Sequence, residues 1–354
     1  MNRIEKLRSE MKKSGLAALL LTQPMSIFYL TGVKVAPGER FFALYVDDLS
    51  ADLFVNVLFS VTECKDAEIK SYKDGDDPLK AVADSFPENS LCGVDGLMPA
   101  KLLLRLQDLR SDLKFTDGGA LVAKVRMYKD RVEQAKMRAS SLQNDEVMGE
   151  LIKLAKNRLS EKTLAEKLLP MYLKRGASGF SFDPITGYGP HAAEPHHDPT
   201  DTLPKEGDCL VLDIGGVLDG YCSDMTRTVF IGEPSPEMRK IYEVVKGAQQ
   251  AALDFIKPGV LLKDIDTVAR DYIEKAGYGQ YFTHRLGHGI GMEVHEEPSI
   301  GLPNGLYAEV GMCFSVEPGI YVPGLGGVRI EDLVMITDEG VELLNHFSKD
   351  LIII

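Results

Sequence analysis

The sequence lacks any long uninterrupted hydrophobic run. The apolar stretch 16–33 is interrupted by four polar or helix-breaking residues: Thr22, Gln23, Pro24 and Ser26. This stretch is too polar to span a membrane, and we interpret it as a buried strand followed by a turn. The N-terminal segment mixes acidic and basic residues, unlike a signal peptide. We therefore expect no membrane partner.

An excess of positive charge is also missing. The 354 residues include 40 Lys and Arg against 53 Asp and Glu, which gives a formal net charge of −13. Because a nucleic-acid binder needs a basic face to neutralise phosphates, this balance argues against a nucleic-acid partner. The contents of hydrophobic residues (44%) and charged residues (26%) are those of a soluble globular protein.

Cysteine is sparse, and the five cysteines include no C-x-x-C pair. They are odd in number and far apart, so they predict reduced, buried thiols in a cytoplasmic protein, not a disulfide framework or a zinc ribbon. A phosphate-binding loop of the G-x-x-x-x-G-K type is absent as well.

The length and the pattern of elements predict two domains of an α+β protein. In the first, residues 1–125, four strand-like runs are separated by helical patterns at 76–86 and 98–110; the runs are 16–22, 41–47, 52–58 and 91–95. The second, residues 126–354, begins with two helices, 129–156 and 160–175. It continues mainly as strands, interrupted by helices at 235–257 and 261–276. Ser235 is the predicted N-cap of the first of these, with Pro236 in its first turn.

Histidine, in contrast, is clustered. Six of the seven histidines lie in two glycine-rich segments, GYGPHAAEPHH (187–197) and FTHRLGHGIGMEVHEEP (282–298). Between these segments lies LDIGGVLDGYCSDMTRT (212–228) with two spaced aspartates, and after them come FSVEPGIY (314–321) and GGVRIEDL (326–333) with two glutamates. Histidine, aspartate and glutamate in glycine-punctuated strands are typical of a divalent-metal site.

The aspartate segment predicts a β-hairpin with Asp219 and Gly220 in the turn. Asp213 and Asp224 then lie on facing strands, directly opposite or one diagonal step apart, with their side chains on one face. Two carboxylates so close repel each other unless a cation lies between them. Alone, this hairpin could also carry merely solvated acids.

The glutamates strengthen the metal hypothesis. Glu317 and Glu331 lie in apolar strand segments, where a carboxylate needs a partner, either Arg329 or a metal ion. Together with one or more of the three histidines His284, His288 and His295, the carboxylates form an oxygen-dominated ligand set. Such a set suits Mn²⁺, Co²⁺, Fe²⁺ or Zn²⁺, and its many carboxylates favour two ions over one.

These ordered motifs resemble the metal-dependent "pita-bread" peptidases, which include methionine aminopeptidase, aminopeptidase P and prolidase. The resemblance covers about 129–354, and residues 1–125 resemble the N-terminal domain of the aminopeptidase P, prolidase and creatinase branch. It implies a C-terminal pita-bread catalytic domain, preceded by a smaller α/β domain.

The resemblance also implies roles for individual residues. The metal ligands are Asp213, Asp224, His288, Glu317 and Glu331. They hold two divalent ions per subunit, Mn²⁺ first among the candidates, which activate a water molecule. The catalytic residues are His196, which positions the peptide, His295, which stabilises the oxyanion, and Glu317, which transfers protons. The substrate-binding residues are His284, Arg285, Tyr321 and Arg329.

In this branch the expected reaction is hydrolysis of the bond before proline in di- or oligopeptides. An apolar slot for the proline ring has three candidates, Phe182, Tyr188 and Tyr321. Arg285 beside His284 could bind the free carboxylate of a dipeptide, which favours prolidase over aminopeptidase P.

Other expectations remain open. A creatinase-like amidinohydrolase without metals and a non-catalytic binding module are alternatives, and the intact ligand set argues against both. A homodimer is expected from the family. In the loop 34–40, Glu39 or Arg40 either approaches a substrate end or is simply solvated.

Overall fold

A computed structural model describes residues 2–354 and divides the chain into two compact units. The first unit ends at Arg126, and the second runs from Met127 to Ile354. The boundary that we predicted from the sequence lies one residue before this division.

The first unit contains a six-stranded mixed sheet with the strand order β4-β3-β2-β1-β5-β6. Helices α3 and α4 contribute apolar side chains to its core. The elements, in chain order, are α1 (Arg3–Lys13), β1 (Ala18–Leu21), α2 (Pro24–Thr31), β2 (Ala43–Asp47), β3 (Ala51–Asn56), β4 (Glu68–Tyr72), α3 (Pro78–Ala83), β5 (Leu91–Val94), α4 (Ala100–Leu109), β6 (Lys114–Asp117) and α5 (Gly119–Met127).

One prediction for the first unit is wrong. The segment after the first strand is the helix α2 and not a turn. Pro24 occupies its first turn, where a missing N–H costs no hydrogen bond, and Gly32 ends it in the left-handed region at φ 73°. In the loop 34–40, Arg40 donates hydrogen bonds of 3.1 and 2.9 Å from Nε and Nη2 to Asp74. That arginine is therefore paired within its own unit.

The second unit contains a four-stranded sheet, β19-β11-β8-β7, a five-stranded sheet, β13-β12-β14-β17-β18, and two short hairpins. Its elements are α6 (Arg131–Ala155), α7 (Glu161–Lys174), β7 (Ile185–Tyr188), β8 (Cys209–Ile214), β9 (Val217–Leu218), β10 (Tyr221–Cys222), β11 (Met225–Phe230), α8 (Pro236–Phe255), α9 (Leu262–Lys275), β12 (Gly287–Gly289), β13 (Glu296–Ile300), β14 (Cys313–Val316), β15 (Gly319–Val322), β16 (Gly326–Arg329), β17 (Asp332–Thr337), β18 (Gly340–Leu343) and β19 (Ile352–Ile353).

The four predicted helices of the second unit are confirmed, and so is the predicted cap at Ser235. The Ser160 side chain accepts a hydrogen bond from the Thr163 N–H at the start of α7. The Ser235 side chain accepts one from Met238 N–H, and Pro236 is the first residue of α8. These caps satisfy backbone donors that the first helical turn leaves without intrahelical partners.

Strand β8 is buried on both faces, and its alternation decides where its aspartate points. Leu210, Leu212 and Ile214 pack in a core with side chains of α6 and α7. Cys209 and Val211 pack in a second core with side chains of α8 and α9. Because side chains alternate along a strand, Asp213 shares the face of Cys209 and Val211, away from α6 and α7.

Among residues 2–354, we find no helix with the length and apolar character needed to cross a membrane.

Candidate metal centre

The five predicted metal ligands line one cavity of about 370 Å³ in the second unit. They lie in or beside strands of both sheets and are far apart in sequence. All except Glu317 are at most 8% exposed. The fold therefore brings together the carboxylates and the histidine that the sequence motifs identified.

Asp213 lies on β8, and Asp224 lies directly before the neighbouring antiparallel strand β11. Asp213 on β8 pairs with Thr226 on β11, and Asp224 lies two residues before Thr226. This is the diagonal arrangement that we predicted. Asp219 and Gly220 form the turn of the small β9–β10 hairpin, both in the left-handed region at φ 50° and 80°, as a type I′ turn requires.

His288, the predicted histidine ligand, lies on β12. A side chain at Gly287 would place its Cβ 1.9 Å from Ser315 O, so glycine is what allows this close approach of the two chain segments. The His288 N–H then donates to Ser315 Oγ at 3.0 Å, and this hydroxyl donates to Glu317 Oε1, also at 3.0 Å.

The tautomer of His288 follows from its neighbours. Its Nδ1 lies 3.1 Å from Gly289 O. A carbonyl can only accept, so Nδ1 carries the proton. Nε2 is then left with its lone pair directed at the carboxylates, 3.3 Å from Glu317 Oε1 and 3.7 Å from Asp224 Oδ2. A metal-binding imidazole needs this orientation.

Arg329 pairs with a different partner from those we predicted. It was expected to serve Glu317 or Glu331, but its Nη2 donates to Asp213 Oδ2 at 2.6 Å. Its Nε donates to Thr226 Oγ1 at 3.0 Å, and this hydroxyl donates to Glu331 Oε2 at 2.7 Å. One guanidinium thus neutralises one carboxylate and orients a second through a threonine.

Three carboxylates each retain an oxygen without a partner. Asp213 Oδ1, Asp224 Oδ1 and Glu331 Oε1 are buried and have no hydrogen-bond partner within residues 2–354. Ligand atoms of Asp224, His288 and Glu331 all lie within 4.8 Å of one another. Buried anionic oxygens of this kind are costly unless a cation compensates them. The residues therefore fit hard or borderline divalent ions.

The electrostatics agree with a cation site. Burial, and then the negative charges of Glu331, Asp213 and Glu317, raise the pKa of Asp224 well above its ordinary value. Burial and the charges of Glu317 and Asp213 do the same to the pKa of Glu331. Burial raises the pKa of Glu317 to about 7, even though Arg329 opposes it. A bound cation would reverse these shifts, because it stabilises the ionised carboxylates.

Three further predicted residues, His196, His295 and Arg285, line the cavity. The His295 ring lies edge-on to the His288 ring, with their centroids 4.3 Å apart. Arg285 is exposed, and its Nη1 donates to Ser299 Oγ at 3.2 Å. These side chains surround the ligand cluster on the solvent side.

His284 lines the cavity as well, but both of its ring nitrogens are already engaged. Nδ1 lies 2.7 Å from Arg285 O and must donate to it, so Nε2 accepts from the Tyr321 hydroxyl at 2.9 Å. Arg329 Nη1 in turn donates to that hydroxyl at 2.8 Å. Burial, and next the charge of Arg329, lower the pKa of His284 to about 4, which agrees with a neutral ring.

The two tyrosines considered for the proline slot do not line the cavity. Neither Tyr321 nor Tyr188 is among the residues that line the cavity. Tyr321 is buried behind it and bonded to Arg329 and His284, so its contact is with those side chains. The hydroxyl of the buried Tyr188 donates to Leu159 O at 3.0 Å. Of the three candidates for the proline slot, Phe182 alone lines the cavity.

The structure adds lining residues that the sequence motifs did not reveal. Ile185, Pro195 and Val294 provide apolar surface beside Phe182. None of them stands out in the sequence, because isolated apolar residues at strand and loop positions carry no functional signal. His191 and His197, which the sequence left ambiguous, bond to the buried Glu161 and lie outside the predicted ligand set.

The chain matches two family descriptions. Residues 135–338 match "Metallopeptidase family M24", and residues 3–128 match "Creatinase/Prolidase N-terminal domain". The first match covers more than half of the chain. The protein is therefore a member of metallopeptidase family M24 that carries a creatinase/prolidase N-terminal domain, and its two-unit architecture is the pita-bread fold preceded by that domain.

Individual relatives agree. An Xaa-Pro dipeptidase from Lactobacillus helveticus is 38% identical, and the alignment covers 99% of this chain and 98% of that protein. The crystal structure of a prolidase from Thermococcus sibiricus superimposes with a TM-score of 0.94 at 34% identity, over 99% and 98% of the two chains. An X-Pro aminopeptidase from Thermotoga maritima gives a TM-score of 0.86 at 30% identity, over 100% of both chains.

Proposed function

We propose that the protein is an Xaa-Pro dipeptidase that uses two divalent metal ions, with manganese as the first candidate. One observation carries the metal-dependent chemistry. Three buried carboxylates, Asp213, Asp224 and Glu331, present unpartnered oxygens to a single cavity beside the lone pair of His288. The Xaa-Pro dipeptidase from Lactobacillus helveticus supports the substrate class.

In this proposal the ions are held by Asp213, Asp224, His288, Glu317 and Glu331. When bound, they would supply Lewis-acid chemistry by polarising a water molecule and the scissile carbonyl. Arg329 orients Asp213 through their 2.6 Å hydrogen bond. The serine between His288 and Glu317 fixes both side chains relative to each other.

The remaining steps are assigned to cavity-lining side chains. Glu317 accepts the proton of the attacking water and returns it to the leaving proline nitrogen, as a positioned general base and then a general acid. His295 donates a hydrogen bond to the developing oxyanion, and His196 orients the peptide near the scissile bond. Phe182, Ile185 and Val294 provide apolar surface for the proline ring.

Arg285 is the residue that we assign to dipeptide selectivity. It is exposed at the cavity and bonded there to a neutral serine hydroxyl. A guanidinium in this position can form charge-assisted hydrogen bonds to the free carboxylate of a C-terminal proline. His284, Tyr321 and Arg329 form a hydrogen-bonded chain behind it and support the cavity wall.

Aminopeptidase P remains the second candidate, because the X-Pro aminopeptidase of Thermotoga maritima covers the whole chain at 30% identity. A creatinase-like reaction and a non-catalytic binding role both disagree with an intact set of five metal ligands. We also expect a homodimer in the cytoplasm. The five free cysteines suit a reducing compartment, and light scattering during gel filtration would measure the oligomeric state.

A peptide-length panel tests the dipeptidase assignment. After chelation and reconstitution with Mn²⁺, kcat/KM is compared for Ala-Pro, Ala-Pro-Gly and Ala-Ala. We expect Ala-Pro to exceed Ala-Pro-Gly by about tenfold or more, since a hydrogen bond to a charged group contributes about 1.5–3 kcal/mol. Preferred cleavage of Ala-Pro-Gly would identify an aminopeptidase P. Equal cleavage of Ala-Ala would remove the proline specificity.

A further inference from the structure

A second cluster of titratable side chains lies beside the metal centre. Glu161, the first residue of α7, is fully buried. Its Oε1 accepts hydrogen bonds from Tyr188 N–H at 2.8 Å and from His191 Nδ1 at 2.9 Å. Its Oε2 accepts from His197 Nε2 at 2.9 Å and from both the N–H and the hydroxyl of Thr200, at 3.0 and 2.7 Å. The Glu161 carboxylate thus accepts five hydrogen bonds from four residues of one chain segment.

This cluster differs from the metal centre in a decisive way. Each oxygen of Glu161 already has several donors, whereas Asp213, Asp224 and Glu331 each keep an unpartnered oxygen. The rings of His191 and His197 are stacked, with centroids 4.3 Å apart, and each directs a nitrogen at Glu161. A carboxylate saturated by donors has the character of a hydrogen-bonded anchor and not of a vacant ligand set.

The anchored segment, residues 188–200, carries a functional residue of the cavity. Pro195, His196 and His197 all line the cavity, and His196 is exposed to solvent. Tyr188 ends strand β7, and Ala192 is buried in a hydrophobic core. Residues 194–200, which include His196, form no helix or strand, and within them the Glu161 carboxylate accepts three hydrogen bonds from His197 and Thr200. The backbone of α7 adds two bonds to the same region, from Glu161 N–H to Thr202 O at 3.2 Å and from Lys162 N–H to Thr200 O at 2.8 Å.

Glu161 is suited to hold this segment as an anion. Burial alone would raise its pKa, but the Tyr188 N–H, His197 and Thr200 together lower the pKa below its ordinary value. Its position in the first turn of α7 places the negative charge at the positive end of the helix dipole. The carboxylate therefore remains ionised at neutral pH, where charge-assisted hydrogen bonds are strongest.

We propose that Glu161 is a positioning residue, whose carboxylate holds the segment 188–200 so that His196 faces the substrate cavity. His191 and His197 are its fixed partners and not metal ligands. The catalytic consequence rests on the function proposed above, in which His196 orients the peptide. The structural consequence, which is that Glu161 keeps the segment 188–200 ordered, does not depend on that function.

The first test measures that order without any assay of activity. Hydrogen exchange followed by mass spectrometry compares the unaltered protein with Glu161→Gln and with the control Glu166→Gln, an exposed glutamate on the same helix. We expect the peptides covering 188–200 to exchange about tenfold faster or more in Glu161→Gln only, because each lost charged hydrogen bond corresponds to at least that factor. Unchanged exchange in Glu161→Gln would overturn the proposal.

The second test is a double-variant cycle on kcat for Ala-Pro. Glu161→Gln is expected to lower kcat about tenfold in the unaltered protein but less than about twofold in a His196→Ala background, since the two changes act on the same interaction. An equal loss in both backgrounds would mean that Glu161 only stabilises the fold. If Glu161→Gln does not fold, Thr200→Val, which removes one donor, takes its place with a smaller effect of the same pattern.

Two further outcomes separate the alternatives. Loss of one bound metal ion per chain in Glu161→Gln would replace the anchor with a metal site and overturn the proposal. If the unaltered protein fails to cleave any Xaa-Pro peptide but the exchange experiment responds as expected, the proposed function fails while the anchoring role of Glu161 stands.

Discussion

Arg329 Nη2 lies 2.6 Å from Asp213 Oδ2, and both residues are buried, with 3% and 8% of their surface exposed. The same guanidinium also bonds to Tyr321 and Thr226. The Arg329 guanidinium thus offsets part of the negative charge of the four clustered carboxylates. This explains how the carboxylates can be assembled before any metal binds.

The buried ion pair between Arg329 and Asp213 should contribute to the free energy of unfolding. Replacing Arg329 with Gln leaves Asp213 buried without its partner, and breaking a buried ion pair in this way costs about 3–5 kcal/mol. We expect a loss of that size in the free energy of unfolding of the metal-free protein, measured by urea denaturation. The control is Arg239→Gln, which breaks the exposed pair with Glu233 and should cost less than about 1 kcal/mol. Equal losses in the two variants would contradict the account.

Metal binding should depend on pH with a definite sign. The raised pKa values of Asp224, Glu331 and Glu317 mean that the metal-free site is most stable when these groups are protonated. Its stability therefore falls as the pH rises through those folded-state values. A metal ion competes with the protons and stabilises the ionised form.

Melting temperatures with and without Mn²⁺ test this sign. We expect the melting temperature of the metal-free protein to fall from pH 6 to pH 8, and the increase produced by Mn²⁺ to become larger over the same interval. The Asp224→Asn variant should show a weaker dependence on both counts. A metal-induced increase that shrinks with rising pH would contradict the electrostatic account.

Two neighbouring histidines should separate into different roles. His288 is buried with Nε2 directed at the carboxylates, whereas His295 contacts it edge-on at the cavity surface. We expect His288→Ala to lose bound metal. His295→Ala should retain the metal while kcat falls about 10²–10³-fold, as for loss of an oxyanion donor. Metal content measured by mass spectrometry beside kcat distinguishes them, and loss of metal from His295→Ala would refute its assignment.

Arg285 should control substrate length. In Arg285→Leu the guanidinium that we assign to the free carboxylate is missing, so kcat/KM for Ala-Pro should fall about tenfold or more. Ala-Pro-amide, which has no carboxylate, serves as the internal control and should change little. Arg285→Lys should recover part of the activity, because it keeps the charge but not the paired donors. A parallel loss on both substrates would contradict a role in carboxylate recognition.

Much of the architecture was predictable, and the errors have physical causes. Helix caps at Ser160 and Ser235 and the turn at Asp219 are local, so the sequence contains their determinants. The strands β4 and β6 have largely exposed or half-buried side chains, which gives them no apolar alternation to recognise. The helix α2 follows a strand directly and begins at a proline, and we read that proline as a turn.

The candidate site also combines features that local sequence determines with features that depend on distant contacts. The five residues that line the cavity together could be selected from the sequence, because each lies in a short motif that resembles those of known peptidases. The partners of Arg329 and Glu161 were not, because their bonds join residues that are 116 and up to 39 positions apart in the chain. Such pairings depend on the register between sheets and loops. The hydroxyl partners of Tyr188 and Tyr321 also depend on this register. The sequence therefore could not show that both tyrosines are bonded behind the cavity wall.

The most direct measurement of the central claim is a titration of chelated protein with Mn²⁺ that follows bound metal and proline release from Ala-Pro together. We predict no activity without metal and activity that rises to a plateau as two ions bind per chain. Full activity after exhaustive chelation would contradict it and indicate metal-independent chemistry. Binding of less than one ion at saturating Mn²⁺ would contradict it as well and indicate a non-catalytic member of the fold.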